Sequence, residues 1–498
     1  MKARKFLCGT ALLICWLPCA AALAGKAAPE PSPLSQDLSK YLGKRWYGIY
    51  FMDKKIGYAE ANVARKIYEG KQAVTVGLKL RAEVAMLGKP QGMSIREVRT
   101  YVLNEGLVYF LSETQSGGGI MRLRGVATDG KMRISSLVGG REKTSVTALP
   151  EEKFEDYIAE ERLVADGAKV GDELSFTQYQ PTMEKSVTAV SRIKGIETKW
   201  MKGIPTRLYS VETVIKDLGV TSTSLLSAGG DVLKTQVAGV FTMRLEDERL
   251  AKNIDYRSDV ILSTVIRPAK KIEKPQAVRT LKVMVSGIGD RPQLIESERQ
   301  SYQLLPDGKA LLTVKVQDLS GVEIPEIPLP VRDFSSELAP SLFIQSDAPE
   351  VVACAKSIVG EERNARKVSD RLVQWVFKNL EKRFSASFSN ALDVLALRSG
   401  DCTEHSVLYV ALARAVGLPA RDVSGVMYTA DDHGFYYHQW AEVYVGKWIA
   451  VDPTFDQEQA DATHIQLVSG DLASQARLIN LIGTLGIEVL EVHYNEKK

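Results

Sequence analysis

The sequence predicts an α+β protein, with a mainly antiparallel β region ahead of a C-terminal domain that mixes helices and strands. Three observations carry this. From about Leu38 to Pro268, apolar residues recur with a period of two between Gly-containing turns. From about Phe343 the apolar period changes to three and four, as on a helix face. After Arg421 strand-like runs return. The chain has 498 residues, 45% hydrophobic and 25% charged. That composition excludes a mostly disordered chain, a collagen and a polytopic membrane protein.

Residues 1–24 read as a secretory signal peptide. Lys2, Arg4 and Lys5 form a basic start, Phe6–Ala21 is apolar, and Ala22-Leu23-Ala24 is a small-x-small cleavage site. A retained anchor is the alternative, but the apolar run is short for a span. Pro18 before Cys19 argues against lipidation there. The expected mature protein is exported to the periplasm or secreted, with no stable membrane span. Residues 25–498 carry 61 charges of each sign. This balance gives no electrostatic case for nucleic-acid binding. Of five cysteines, only Cys354 and Cys402 survive cleavage, which excludes a disulfide-stapled scaffold. They form a single bridge, or one is buried and the other works.

Residues 25–37, rich in Ala, Pro and Ser, are a linker. In the β-rich region 38–268, Val74, Val76, Leu78, Leu80, Ala82 and Val84 alternate with Thr75, Lys79, Arg81 and Glu83. Asn104-Glu105-Gly106 and Asp129-Gly130 are hairpin turns. Glu151–Ala165 is helix-like, and the region contains no histidine. Lys270–Pro275 is a joint. Residues 276–342 form a small β module or a connector, with strands at Arg279–Val285 and Tyr302–Val316 and a turn at Pro306-Asp307-Gly308.

Residues 343–498 form the last domain. Asp347 and Glu350 have capping-box spacing before a helix that Gly360 stops. Ala365, Val368, Leu372, Trp375, Val376 and Leu380 mark a second helix. A third runs from about Cys402 to Val416. Strands follow at Arg421–Tyr428, Tyr436–Val445 and Lys447–Asp452.

The chemistry concentrates there. All five histidines, 405, 433, 438, 464 and 493, follow Cys402. Asp401 is a natural N-cap with Glu404 at the capping-box position, so Cys402 falls in the first helical turn. There the helix dipole favours the thiolate, and the Cys402 N–H is an oxyanion donor. His438 lies 36 residues on, in a strand. Asp452 follows 14 later, across the Gly446-Lys447 turn. A carboxylate beside an imidazole fixes its tautomer and stabilises its cation. The simplest connection is a Tyr444-Val445-Gly446 loop that sets His438 directly opposite Asp452. A two-residue turn would send Asp452 to the far face.

Gly400-Asp401-Cys402-Thr403-Glu404-His405, Gly417-Leu418-Pro419-Ala420-Arg421, His438-Gln439-Trp440-Ala441-Glu442-Val443-Tyr444 and Asp452-Pro453-Thr454 closely resemble the bacterial transglutaminase-like superfamily. The resemblance covers about residues 343–495. It implies a papain-like core with Cys402 as nucleophile, His438 as base and Asp452 as orienting acid. It also implies a substrate among peptides, proteins or cell-wall peptides, and no cofactor. The leading function is an amide-directed cysteine enzyme working through a thioester, with hydrolysis favoured over amine transfer. The alternative is a non-catalytic exported binding or assembly module that uses the β-rich half.

The remaining candidates have plainer readings. Cys354 shares a helical face with Val351 and Ile358 and reads as a buried, inert thiol. His405, His464 and His493 read as structural, and His433 as a loop residue and a candidate substrate contact. Glu442 and Trp440 line the cleft or support the strand. Ser387, Ser389 and Asn390 are guesses for a second oxyanion donor. No Cys/His set has zinc-ligand spacing, so no metal is expected. Asp456, Glu458 and Asp461 are too irregular for more than a weak calcium guess.

Overall fold

The computed structural model describes residues 38–494, except 87–88, 117–118, 139, 166, 202, 217, 255–263, 289–293, 383–389, 471–477 and 479–480. The predicted signal peptide and linker, and Ser387 and Ser389, lie outside the described residues. Two compact units divide the chain, one ending and one beginning within 255–263.

The N-terminal unit is a single antiparallel sheet of fourteen strands among the described residues. Arg141–Ala148 forms one edge, and neighbours run back in sequence to Gly43–Phe51. That strand pairs with Phe241–Glu246, and the order then descends to Glu173–Gln180 at the other edge. The expected alternation holds: Val74, Val76, Leu78, Leu80 and Ala82 are buried. Asn104, Asp129 and Gly130 have positive φ in the predicted turns. The sheet curls, because Ser145 on one edge strand donates to Glu184, just past the other, at 2.8 Å. Buried Glu152 accepts from Arg99 and from the Tyr179 backbone N–H, both at 2.6 Å. The helix-like stretch is two short helices, Phe154–Tyr157 and Ala159–Ala165.

The C-terminal unit has two four-stranded antiparallel sheets. One is ordered Gln300–Leu304, Ala310–Lys315, Val278–Ser286, Gly486–Tyr494. Three of its strands thus come from the 276–342 segment and the fourth from the end of the chain. The other is ordered Trp448–Val451, Gly434–Tyr444, Ala420–Thr429, Ile465–Ser469. Helices Pro349–Val359, Ala365–Asn379, Ala391–Leu397 and Cys402–Ala415 build the core with this second sheet. The Cys402 helix is buried at every position from Glu404 to Ala413, which marks it as the central element. The first of these helices departs from expectation. Its N-cap is Ala348, which makes no side-chain cap bond, and Pro349 opens it, so Asp347 and Glu350 form no capping box. Proline's fixed φ and missing donor suit that first position. Gly360 does end the helix.

Candidate active site

The Cys402 helix starts as its sequence dictates. Asp401 Oδ1 accepts from the Thr403 N–H at 2.9 Å, and Glu404 Oε2 accepts from the Asp401 N–H at 2.7 Å. Two end donors of the helix are thereby satisfied reciprocally. Cys402 is the first helical residue and is buried. One turn on, along the same helix face, Ser406 donates to the backbone oxygen of Gln439 at 3.1 Å. That bond anchors the Cys402 face of the helix on the strand that carries His438.

His438 and Asp452 are brought together: His438 Nε2 lies 2.9 Å from Asp452 Oδ2, with both side chains fully buried. The register that does this differs from expectation by one residue on each strand. The ladder pairs Tyr444 with Trp448 and ends at Ala441 with Val451. The hairpin loop is therefore Val445-Gly446-Lys447, closed by Val445 N–H to Lys447 O at 2.9 Å. Gly446 takes its centre with φ of 99°, and a Cβ there would stand 2.4 Å from the Glu323 carbonyl oxygen. Only glycine meets both demands. The loop still holds an odd number of residues, so His438 and Asp452 share a face and meet diagonally.

Asp452 Oδ2 also accepts from His464 Nε2 at 3.1 Å, and Oδ1 accepts from the Thr454 N–H at 2.8 Å. Burial opposes ionisation here. The imidazoles of His438 and His464 outweigh it and hold the carboxyl well below the usual carboxylate range. With its Nε2 proton turned to Asp452, His438 has a bare Nδ1. That atom is buried without a hydrogen-bond partner among the described residues. Trp440 stacks on the His438 ring at 6.0 Å between centroids, and Phe455 meets it edge-on at 5.5 Å.

His464 is the site residue that sequence reasoning missed. It precedes the strand on the opposite side of the sheet from the Asp452 strand, so no spacing pairs it with Asp452. Gly425 stands between His438 and Gln466 in the register, and a Cβ there would meet the Ile465 oxygen at 2.0 Å and the Trp440 ring at 2.9 Å. The loop before His464 is fixed from the other sheet. Buried Arg299 donates to the backbone oxygens of Ala460, at 2.8 Å, and of Asp461. Gln300 exchanges two bonds with the backbone of Gln466 at 2.8 and 2.9 Å. His438, Asp452 and His464 bring three ligand-type atoms within 4.8 Å of one another. Hydrogen bonding through the shared carboxylate oxygen accounts for that convergence.

Other candidates fall outside this network. His405 Nδ1 bonds the Asp401 oxygen at 2.6 Å, and burial lowers its pKa to about 4. Glu442 is buried and paired with Arg421 at 2.8 Å, a strand-supporting role. His433 sits in a turn with φ of 49°, and His493 is exposed beside Glu491. Asn390 caps the Ala391–Leu397 helix with its side-chain oxygen, and its Nδ2 donates to Asp393 Oδ2 at 2.6 Å, a capping role. Glu458 accepts from Gln374, and Asp461 from Thr463 and Gln457, so these acids do not converge as a calcium loop. Neither cysteine is in a disulfide among the described residues; Cys354 is half-buried, and burial pushes its pKa up.

Comparison with known proteins finds a family match within the C-terminal unit. Residues 352–453 match the model of the transglutaminase-like superfamily. That segment is similar to a transglutaminase-like core, as the motifs implied. An uncharacterized protein of Haemophilus influenzae is 35% identical over 74 residues, which are 14% of this chain and 20% of that one. The chain thus spans about a fifth of that relative's length. A candidate cysteine protease from Cytophaga hutchinsonii aligns over 44% of this chain and 86% of its own, with 18% identity and a TM-score of 0.30. A β-barrel-like domain of unknown function from Brucella abortus aligns over 41% and 95%, with 8% identity and a TM-score of 0.31.

Proposed function

We propose that the protein is an exported cysteine enzyme that acts on amide bonds of peptides, proteins or cell-wall peptides. Cys402 is the nucleophile, His438 the base and Asp452 the residue that orients it. The observation that carries this reading is the buried His438–Asp452 pair, whose unoccupied Nδ1 lies on a strand packed against the helix that Cys402 opens. The transglutaminase-like match over 352–453 supports the same chemistry.

In the proposed cycle the Cys402 thiol gives its proton to His438 Nδ1. The thiolate attacks the amide carbon, and the His438 imidazolium protonates the leaving amine. The resulting thioester is released by water, with His438 taking the water proton, and the acid and free thiol are restored. An amine in place of water gives a new amide. Hydrolysis is the expected outcome, because water needs no binding site.

The test compares wild type with Cys402→Ala. A thiol-directed activity probe should label only the wild type. Mass spectrometry of protein and cell-wall peptides incubated with each should show cleaved products only with wild type. Joined peptides in place of cleaved ones would assign amine transfer. Equal labelling and identical product spectra would overturn the enzyme reading and leave a binding module. Export is checked separately, by sequencing the N-terminus of the mature protein for cleavage after Ala24.

A further inference from the structure

We infer that His464 is a fourth member of the site: a buried imidazolium that shares Asp452 with His438 and sets the pH range over which Cys402 and His438 work. This rests on the catalytic reading of Cys402, His438 and Asp452.

The geometry assigns the charge. His464 Nε2 faces Asp452 Oδ2 at 3.1 Å, and its Nδ1 faces the backbone oxygen of Asp461 at 3.2 Å and Asp461 Oδ1 at 3.4 Å. Every one of these partners is an acceptor only. A neutral imidazole has one protonated nitrogen and would turn a lone pair against an oxygen at its other edge. Two protons satisfy both edges. His464 is fully buried, with Trp440 meeting its ring edge-to-face at 5.3 Å, so bulk solvent does not reach the ring. Burial alone would lower its pKa, but Asp461 and Asp452 raise it to about 9.

The charges around it are few. Among the described residues, Asp452 and Asp461 are the anions in contact. The His438 ring lies 5.7 Å away, centroid to centroid. Arg299 touches the loop only through backbone oxygens, including that of His464 at 3.5 Å. Lys382 couples electrostatically to Asp452, while His405, whose pKa burial lowers to about 4, adds no charge. His464 therefore offsets one of the two buried negative charges it faces, Asp452 and Asp461. Asp452 then orients His438 without holding its proton too tightly. Removing that positive charge raises the pH at which the Cys402 thiol ionises. A unit charge in partly screened protein surroundings displaces a neighbouring group by roughly one pH unit.

The experiment follows the rate of iodoacetamide alkylation at Cys402 against pH, read by mass spectrometry of its peptide, in wild type and His464→Gln. The expected result is a profile displaced upward by about one unit, with a similar maximal rate. An undisplaced profile in a variant with the wild-type circular dichroism spectrum overturns the inference and leaves His464 a structural hydrogen-bonder. Wild-type Cys402 reacting only as an ordinary thiol overturns the catalytic reading instead. Should His464→Gln fail to fold, nitrogen NMR of histidine-labelled wild type decides. One ring protonated on both nitrogens at pH 8 is expected, and finding none overturns the proposal.

Discussion

Asp452 reaches His438 diagonally, not from directly across the ladder. The last regular pair is Ala441 with Val451, so the next position sets Asp452 opposite Trp440, yet the carboxylate bonds His438 Nε2 at 2.9 Å. A diagonal step of two residues keeps both side chains on one face. It also places the Trp440 ring where it touches both imidazoles.

Asp452→Asn should therefore act on two quantities. Turnover is expected to fall about 10³–10⁴-fold, because the amide favours the wrong His438 tautomer. Stability should fall by about 3 kcal/mol, since the buried His464 imidazolium loses a counter-ion. Kinetics and urea unfolding measure the two separately, and some Cys402 labelling should persist. Undiminished turnover would remove Asp452 from the mechanism.

Cys402→Ala is expected to abolish probe labelling while costing about 1 kcal/mol or less, because one small buried group is lost and the cap of Asp401 and Glu404 remains. A thermal melt checks this. A drop of many degrees would identify Cys402 as a core residue.

The pH dependence of stability follows from His464. Its pKa is raised from 6.5 to about 9 in the folded protein. Its stabilising contribution is therefore complete below about pH 6.5 and is lost as pH rises through about 9. The stability gap between wild type and His464→Gln should be widest near pH 6 and shrink toward pH 9.5 in chemical unfolding. A gap that widens with pH would contradict a charged His464.

Gly446→Ala should destabilise by about 1–3 kcal/mol, because alanine at φ of 99° is strained and its Cβ would strike the Glu323 oxygen. The loss should be accompanied by slower alkylation of Cys402, since this loop sets the register of the Asp452 strand. Wild-type stability in this variant would show that the loop relaxes freely.

Glu404→Ala should cost about 1–2 kcal/mol, measured by thermal unfolding, because the buried Asp401 N–H loses its acceptor. The effect should concentrate at the start of the Cys402 helix, where hydrogen exchange of the first-turn amides would accelerate.

Much of this was legible in the sequence because it is local. The cap at Asp401 and Glu404 depends on residues three apart, and the period-two strands of the first half on residues two apart. The shared face of His438 and Asp452 needs only the parity of a short hairpin. The motif blocks around Cys402, His438 and Asp452 led to the transglutaminase-like core for the same reason: each is contiguous in the chain. The exact register was not local. It follows from Gly446 taking the loop centre beside the Glu323 oxygen, a contact between segments more than a hundred residues apart. His464 was still less accessible. Its ring reaches Asp452 because the Asp461–Gln466 segment is held by Arg299 and Gln300 from the other sheet, and because Gly425 lets Ile465 and Trp440 approach closely. Sequence spacing determined the helix cap, the strand faces and the order of thiol, imidazole and carboxylate. Only tertiary packing decided that a second imidazole shares the carboxylate, since burying Asp452 and Asp461 requires a cation and packing sets the His464 ring between them.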